Sequence, residues 1–311
     1  MDVLTDLLHR ARAQNALVRQ LIQQPPWSVT FAEVPPLSVV AAIEGRSVVR
    51  LDDQAVPLDA GDIALISGVD EYTIADDPAT PPQILIRGGR KYLPGSDEEL
   101  CGDWALAPRT FGDGLPGATV MLRGAYELRG AVGGRVLELL PSLAVVPTGS
   151  RTRAALDLLT AEVGCDEPGQ DAVLGRLLDL VLVLALRAWC ARPEAGPAWY
   201  QAMADRAIGA ALRRMHEDPA RRWTVAGLAA AVGMSRASFA ARFAALVGEP
   251  PLTYLTGWRM TLAADLLRDT DRTVAAVARG VGYEDAFAFS AAFKRAHGVS
   301  PSAWRRRTWA S

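Results

Sequence analysis

Histidine is scarce in this chain. His9, His216 and His297 are the only three in 311 residues, and none falls in residues 27–146, where strand-like runs concentrate. A metal held by two or three histidines and a carboxylate needs more than that. This argues against a His-ligated metal and against the oxygenase or isomerase chemistry such a centre supports. Cysteine is equally rare. Cys101, Cys165 and Cys190 form an odd set without metal or redox spacing, which predicts free thiols in a reducing, cytoplasmic setting. Cys101 sits between Glu99 and Asp103, an acidic setting that raises a thiol pKa, so a structural role is expected. Long apolar runs are missing too. The most apolar stretch, residues 177–186, is interrupted by Asp179 and is too short to span a bilayer. The N-terminus lacks the apolar core of a signal peptide. There is no Gly-rich phosphate loop, nucleophile elbow or paired acid–base motif. The expectation is therefore a non-enzyme with no cofactor and no membrane partner.

What the chain does have is an uneven division of charge. Residues 200–311 hold 16 Lys and Arg against 9 Asp and Glu, and residues 1–199 hold 17 against 26. The basic half suits a polyanion; chance segregation of solvated charge is the plain alternative. Residues 1–22 read as one amphipathic helix, with Leu4, Leu7, Leu8, Ala11 and Val18 near one stripe. From Trp27 to about Val146 the pattern is β, with short apolar runs at 38–43, 46–51, 62–66, 72–74, 83–87 and 119–122 separated by Gly, Pro and Asp. Such spacing suggests a sandwich or barrel. From Arg151 the pattern is helical. Residues 171–190 are apolar nearly all round, so that helix is buried against a second copy or within its own fold. Glutamates at Leu178 and Leu182 would then yield monomers if it is the dimer element. Residues 193–197, with two prolines and a glycine, form the linker.

The basic half contains an internal repeat. Thr224-Val225 recurs as Thr273-Val274, Leu228 as Val277 and Val232-Gly233 as Val281-Gly282, all 49 residues apart. The interval then becomes 50: Phe239 matches Phe289, Phe243 matches Phe293, Gly248 matches Gly298 and Pro251 matches Pro301. Each copy has a capping Thr, a thin Ala-rich helix, a glycine turn, and a second helix with two Phe on one face. Ser235 and Asp285 are good caps for those second helices. This is the helix-turn-helix plan, twice; a two-repeat helical bundle without DNA is the competing reading.

Residues 200–308 resemble the DNA-binding domain of the AraC/XylS family. The match runs through Trp258-Arg259-Met260, Ala263 and Leu266-Leu267. It continues through Val274-Ala-Ala-Val277-Ala278, Val281-Gly282-Tyr283, Phe289, Phe293-Lys294-Arg295, Gly298-Val299-Ser300-Pro301 and Trp304-Arg305. The N-terminal half resembles the cupin-type sensor domain of one branch of that family, on Leu51, Leu58, Gly61-Asp62 and Gly124-Ala125-Tyr126. The resemblance implies an α+β multidomain chain. Residues 1–150 would be a cupin-like β-barrel or sandwich, 151–192 a helical dimerisation segment, 193–197 a linker and 198–311 an all-α double helix-turn-helix.

The resemblance further implies a cytoplasmic transcription regulator whose partners are double-stranded promoter DNA, RNA polymerase, a second copy and a small-molecule effector. The recognition helices would be Arg236–Val247 and Ala286–His297, entering successive major grooves about 34 Å apart. Phosphate contacts would come from Arg236, Arg242, Lys294 and Arg295, with Ser235 and Asp285 at the helix starts. Arg305, Arg306 and Arg307 are phosphate contacts or solvated charges. The positions that face bases in the family are Ala237, Ala240, Ala241, Ala286, Phe287 and Ala291. Here the chain departs from the family pattern, because alanine cannot make a bidentate contact to a base edge. Either DNA shape and phosphates carry the binding, or the protein is a partner-dependent regulator with little sequence-specific DNA binding of its own.

In the sensor half, Ala41 and Tyr72 stand where related domains carry a histidine. Trp27, Arg46, Arg50, Tyr72 and Arg87 are the candidate ligand-binding residues, since arginines in a pocket favour an anion. Surface arginines and core aromatics are the alternative for each.

Overall fold

Apolar residues at period two, cut by glycine turns, build two sheets in the computed structural model, which describes residues 2–11, 14–100, 104–114 and 116–309. The strands are β1 (Gln14–Gln23), β2 (Ser28–Ala32), β3 (Leu37–Glu44), β4 (Ser47–Leu51), β5 (Gln54–Leu58), β6 (Ile63–Ser67), β7 (Glu71–Ala75), β8 (Ile84–Arg87), β9 (Arg90–Tyr92), β10 (Ala105–Ala107), β11 (Thr110–Gly112), β12 (Thr119–Glu127) and β13 (Leu143–Val146). One sheet runs β10-β11-β1-β12-β3-β6-β13 and the other β5-β4-β7-β2-β8-β9. Trp27, Val29, Val40, Val49, Leu58, Ile66, Tyr72 and Ile74 form a buried cluster. Gly45 and Gly61 turn with positive φ, at 74° and 95°, as the Glu44-Gly45 and Gly61-Asp62 pairs require.

The helices are α1 (Val3–Ala11), α2 (Gly130–Leu137), α3 (Ser150–Val163), α4 (Gln170–Cys190), α5 (Ala198–Ala202), α6 (Arg206–Glu217), α7 (Val225–Ala231), α8 (Arg236–Val247), α9 (Pro251–Asp269), α10 (Val274–Gly280), α11 (Ala286–His297) and α12 (Pro301–Trp309). The chain divides into two compact units. One comprises Ala13–Leu128 and Leu137–Trp189; the other comprises Cys190–Ser311 together with Met1–Arg12 and Arg129–Val136. The second grouping crosses the boundaries expected from sequence, because α1 and α2 pack with the C-terminal helices. The expected single N-terminal helix is also corrected: α1 ends at Ala11, and Val18 lies on β1. β1 pairs antiparallel with β12 and parallel with β11, and pairing on both edges overrides a local helical pattern.

In the sheet unit, α4 packs its Leu174, Leu178, Val181, Leu182, Ala185 and Leu186 inward, all buried. Gly124 of β12 makes room for it: a Cβ there would lie 2.5 Å from the Leu178 methyls. The acid that interrupts this helix has a partner, since the Tyr126 hydroxyl donates to Asp179 at 3.2 Å. Burial raises the Asp179 pKa against the opposing pull of that bond and of Arg176. Leu178 and Leu182 therefore serve the fold of one chain, and glutamates there would disrupt it rather than test a dimer.

In the helical unit, α1 buries Val3, Leu4, Leu7, Ala11 and also Asp6. Asp6 accepts from Arg10 at 2.5 Å and shares a 2.8 Å hydrogen bond with His216 Nδ1 on α6. His216 Nε2 in turn meets the Tyr254 hydroxyl at 2.8 Å, and its ring stacks on Trp258 of α9 at 4.6 Å. The first free amides of α2, from Ala131 and Val132, donate to Asp265 of α9 at 2.7 and 3.0 Å. That is a helix N-cap supplied from a different helix.

Candidate functional sites

Each half of the repeat is set by the same local rules. The Thr224 hydroxyl accepts from the Gly227 amide and Thr273 from Ala276. α7 ends with Gly233 in the left-handed region, bonded to Ala230, while Met234 reaches back to Ala229. α10 repeats this with Gly282 to Arg279 and Tyr283 to Ala278, so both turns are Schellman motifs. Ser235 caps α8 through the Ser238 amide, and Asp285 caps α11 through Phe287 and Ala288. Phe239 and Phe243, and Phe289 and Phe293, are fully buried, each pair with ring centroids 5.7 Å apart. Helix α9 packs against α8, α10, α11 and α12 and thereby joins the two halves.

Helices α8 and α11 have the bounds expected of the two recognition helices. Their outer faces carry Arg236, Ala237, Ala241, Phe287, Ala291, Lys294 and Arg295, all exposed, with Ala240 and Ala286 half-buried. Phe287 is 88% exposed, unusual for so large an apolar side chain. Among the described residues, Arg236, Lys294 and Arg295 have no carboxylate within ion-pair distance. Arg242 differs. Its guanidinium is committed to Asp205, the N-cap of α6, and it ties two helices together. Arg305 likewise donates to the carbonyls of Leu267, at 3.2 Å, and Arg272. The hydroxyl of Ser235 and the carboxylate of Asp285 are engaged as caps.

The sheet unit encloses a second feature, a cavity of about 520 Å³. β1 contributes Leu17, Arg19, Gln20, Leu21 and Gln23 and β12 contributes the alternate residues Arg123, Ala125 and Glu127 to its wall. Arg19 lies directly opposite Arg123 in the antiparallel register. Arg123 donates through Nε to the Tyr72 hydroxyl at 2.6 Å, and its guanidinium lies 4.5 Å from the Phe31 ring centre. Lys91 stands over Trp104 at 4.8 Å and Phe111 at 5.2 Å.

None of the five residues expected to bind a ligand lines this cavity. Trp27 is in the buried cluster. Arg46 pairs with Asp59 on an exposed hairpin, and Arg50 bonds the Pro78 carbonyl and the Ser28 hydroxyl. Arg87 pairs with Asp97 and lies over Tyr92. Tyr72 is buried behind the wall, stacked on Phe31 at 5.3 Å and bonded to Arg123. The cavity's own cations were hidden from sequence reading: Arg19 by the misassigned helix, Arg123 by reading β12 as ending at Leu122. Cys101 lies outside the described residues. Among the others, burial pushes the Cys190 thiol pKa up to about 11, which makes it unreactive.

A cupin family model matches residues 2–191, and a helix-turn-helix domain model matches residues 228–307. Putative AraC-like transcription regulators of Streptomyces lividans and Streptomyces antibioticus are each 31% identical over 98% of this chain, covering 98% and 99% of their own lengths. Among solved structures, the DNA-binding domain of AdpA in complex with a target DNA is 33% identical, over 34% of this chain and 95% of that one, with a TM-score of 0.33. The chain belongs to the AraC-like DNA-binding transcription regulators, with a cupin domain as its N-terminal half.

Proposed function

We propose that this cytoplasmic regulator holds promoter DNA mainly through phosphate contacts and DNA shape, and that its cupin half adjusts that binding in response to a small molecule. The observation that carries the first part is the outer face of α8 and α11. Ala237, Ala241 and Ala291 present methyl groups, and Phe287 presents a ring. Methyls and rings can cover thymine methyls but cannot read guanine or adenine edges by hydrogen bonding. Around them Arg236, Lys294 and Arg295 supply unpaired positive charge for the backbone. RNA polymerase is the expected protein partner. Arg236→Ala and Lys294→Ala in the full chain should each lower the slope of log affinity against log salt by about 1. The loss should be nearly uniform across sequences selected from a random pool, as anisotropy titrations would reveal. A loss confined to one sequence would assign these side chains to base reading instead. Absence of any DNA binding at low salt would favour the partner-dependent alternative.

The same reading includes a homodimer through the outer face of α4. Val173 and Leu180 are 42% and 44% exposed, and Leu177 and Leu184 between and beyond them are half-buried. Positions 173, 177, 180 and 184 repeat as the apolar seam of a coiled coil does, which suits a second copy of the same helix. Val173→Glu with Leu180→Glu should convert dimers to monomers in sedimentation while leaving the thermal unfolding of each chain nearly unchanged. Persistent dimers would remove this face from consideration.

A further inference from the structure

We propose that the cavity of the cupin half binds an apolar monocarboxylate, its anionic head held between Arg19 and Arg123. This rests on the reading of that half as an effector domain and names the chemical class of the effector. Like charges directly opposite one another on antiparallel strands are destabilising. Arg19 and Arg123 stand in that register and face the same cavity. Among the described residues, neither has a carboxylate within ion-pair distance. A carboxylate between them would convert the repulsion into two charge-assisted hydrogen-bonding interactions.

Arg123 is already oriented for this. Its Nε is occupied by the Tyr72 hydroxyl and its plane is held on Phe31, which leaves its two terminal amino groups for a ligand. Burial, the charge of Arg109 and the charge of Arg123 lower the Arg19 pKa against the pull of Asp171. Arg19 nevertheless stays charged, since an arginine remains protonated in proteins.

The remainder of the wall defines the rest of the ligand. Leu21, Val29, Ile84 and Ile86 with the rings of Phe31 and Phe111 form an apolar lining, which calls for a hydrophobic body. Glu33 and Glu127 also line the cavity. These two carboxylates oppose any second negative charge on the ligand, which suits a monoanion over a phosphate dianion. A volume of about 520 Å³ falls in the range of ligand pockets, roughly 300–1,000 Å³.

The test uses the full-length protein with 2-naphthoate and octanoate as probes, and their neutral amides as controls, by calorimetric titration. At least one acid should bind tenfold or more tightly than its amide. Arg19→Gln and Arg123→Gln should each weaken that acid at least tenfold. Arg19→Gln should also raise, or leave unchanged, the melting temperature of the ligand-free protein, because it relieves the like-charge contact. Equal binding of acid and amide, no binding of either acid at millimolar concentration, or undiminished binding by both variants would overturn the proposal. Binding of an acid with unchanged DNA affinity would uphold the site and defeat the effector reading. A metabolite extract that shifts DNA affinity while neither acid binds would do the reverse.

Discussion

Asp6→Ala should destabilise the helical unit by about 1–3 kcal/mol, the usual cost of leaving a buried hydrogen-bonding group without its partner. The carboxylate is fully buried, and it is the shared partner of Arg10 and of His216 Nδ1. Without it, the buried His216 ring keeps Tyr254 on one side and loses its partner on the other. The effect should reach DNA binding, because Trp258 and Tyr254, against which His216 packs, lie on α9, the helix that joins the two helix-turn-helix halves. Asp6→Asn should lose less, since an amide oxygen can still accept one hydrogen bond. The acid side supplies a second readout. Burial raises the Asp6 pKa, but the bonds from His216 and Arg10 overcome it, and the pKa ends below its ordinary value. A carboxylate lowered on folding contributes stability that is present above its unfolded pKa, about 3.9, and is lost as pH falls through its folded value. The stability difference between wild type and Asp6→Ala should therefore be full near pH 6 and shrink below about pH 4. Calorimetric unfolding at a series of pH values measures this. A difference that stays constant with pH would mean Asp6 acts through packing alone.

Whether a feature was legible in the sequence depended on how far apart its partners lie. The caps Thr224, Thr273, Ser235 and Asp285, the left-handed glycines and the paired phenylalanines are decided within four or five residues, and each stands where the repeat placed it. Strands β3, β4, β6, β7 and β8 were legible because alternation and turn residues are also local, whereas β5, with Pro57 in it, was not. β1 was not, since its sequence alternates poorly and its strand state comes from pairing with β11 and β12, which lie far along the chain. The cavity followed the same rule. The charge class expected of a ligand rested on arginines near predicted strands, but which arginines face inward depends on register. Arg46 and Arg87 pair with Asp59 and Asp97, and Arg50 bonds Pro78 and Ser28, all away from the cavity, while Arg19 and Arg123 face it through a pairing 104 residues apart in sequence. Asp6 and His216 are 210 residues apart, and neither carries a motif. The commitment of Arg242 to Asp205 was equally out of reach, because an exposed arginine on a recognition helix reads as a phosphate contact until its neighbour on α6 is known.

Gly282→Ala should be far more damaging than Gly233→Ala, although the two glycines occupy equivalent places in the repeat. Both are in the left-handed region, with φ of 86° and 70°, where a Cβ costs about 1–2 kcal/mol. The surroundings separate them. At Gly233 an added Cβ meets nothing within 4 Å, so Gly233→Ala should cost about that strain and no more. At Gly282 it would stand 2.4 Å from the Ala220 carbonyl oxygen and 2.8 Å from Arg259 Nη2. Neither can readily give way. Arg259 is anchored to the carbonyls of Pro219 and Arg221 at 2.7 and 2.8 Å, so the loop after α6, the linking helix and the second turn meet at this point. Overpacking adds about 1–3 kcal/mol, which brings the expected loss to about 3 kcal/mol or more. The turn also aims α11, so a shift there should displace Phe287, Lys294 and Arg295 together. In the full chain, Gly282→Ala should weaken DNA binding tenfold or more even at temperatures where the protein remains folded. Gly233→Ala should stay within a few-fold of wild type. Paired melting curves and binding titrations of the two variants decide the matter. Equal losses would mean that left-handed strain alone governs both turns, and that the close approach of Ala220 to Gly282 carries no energetic weight.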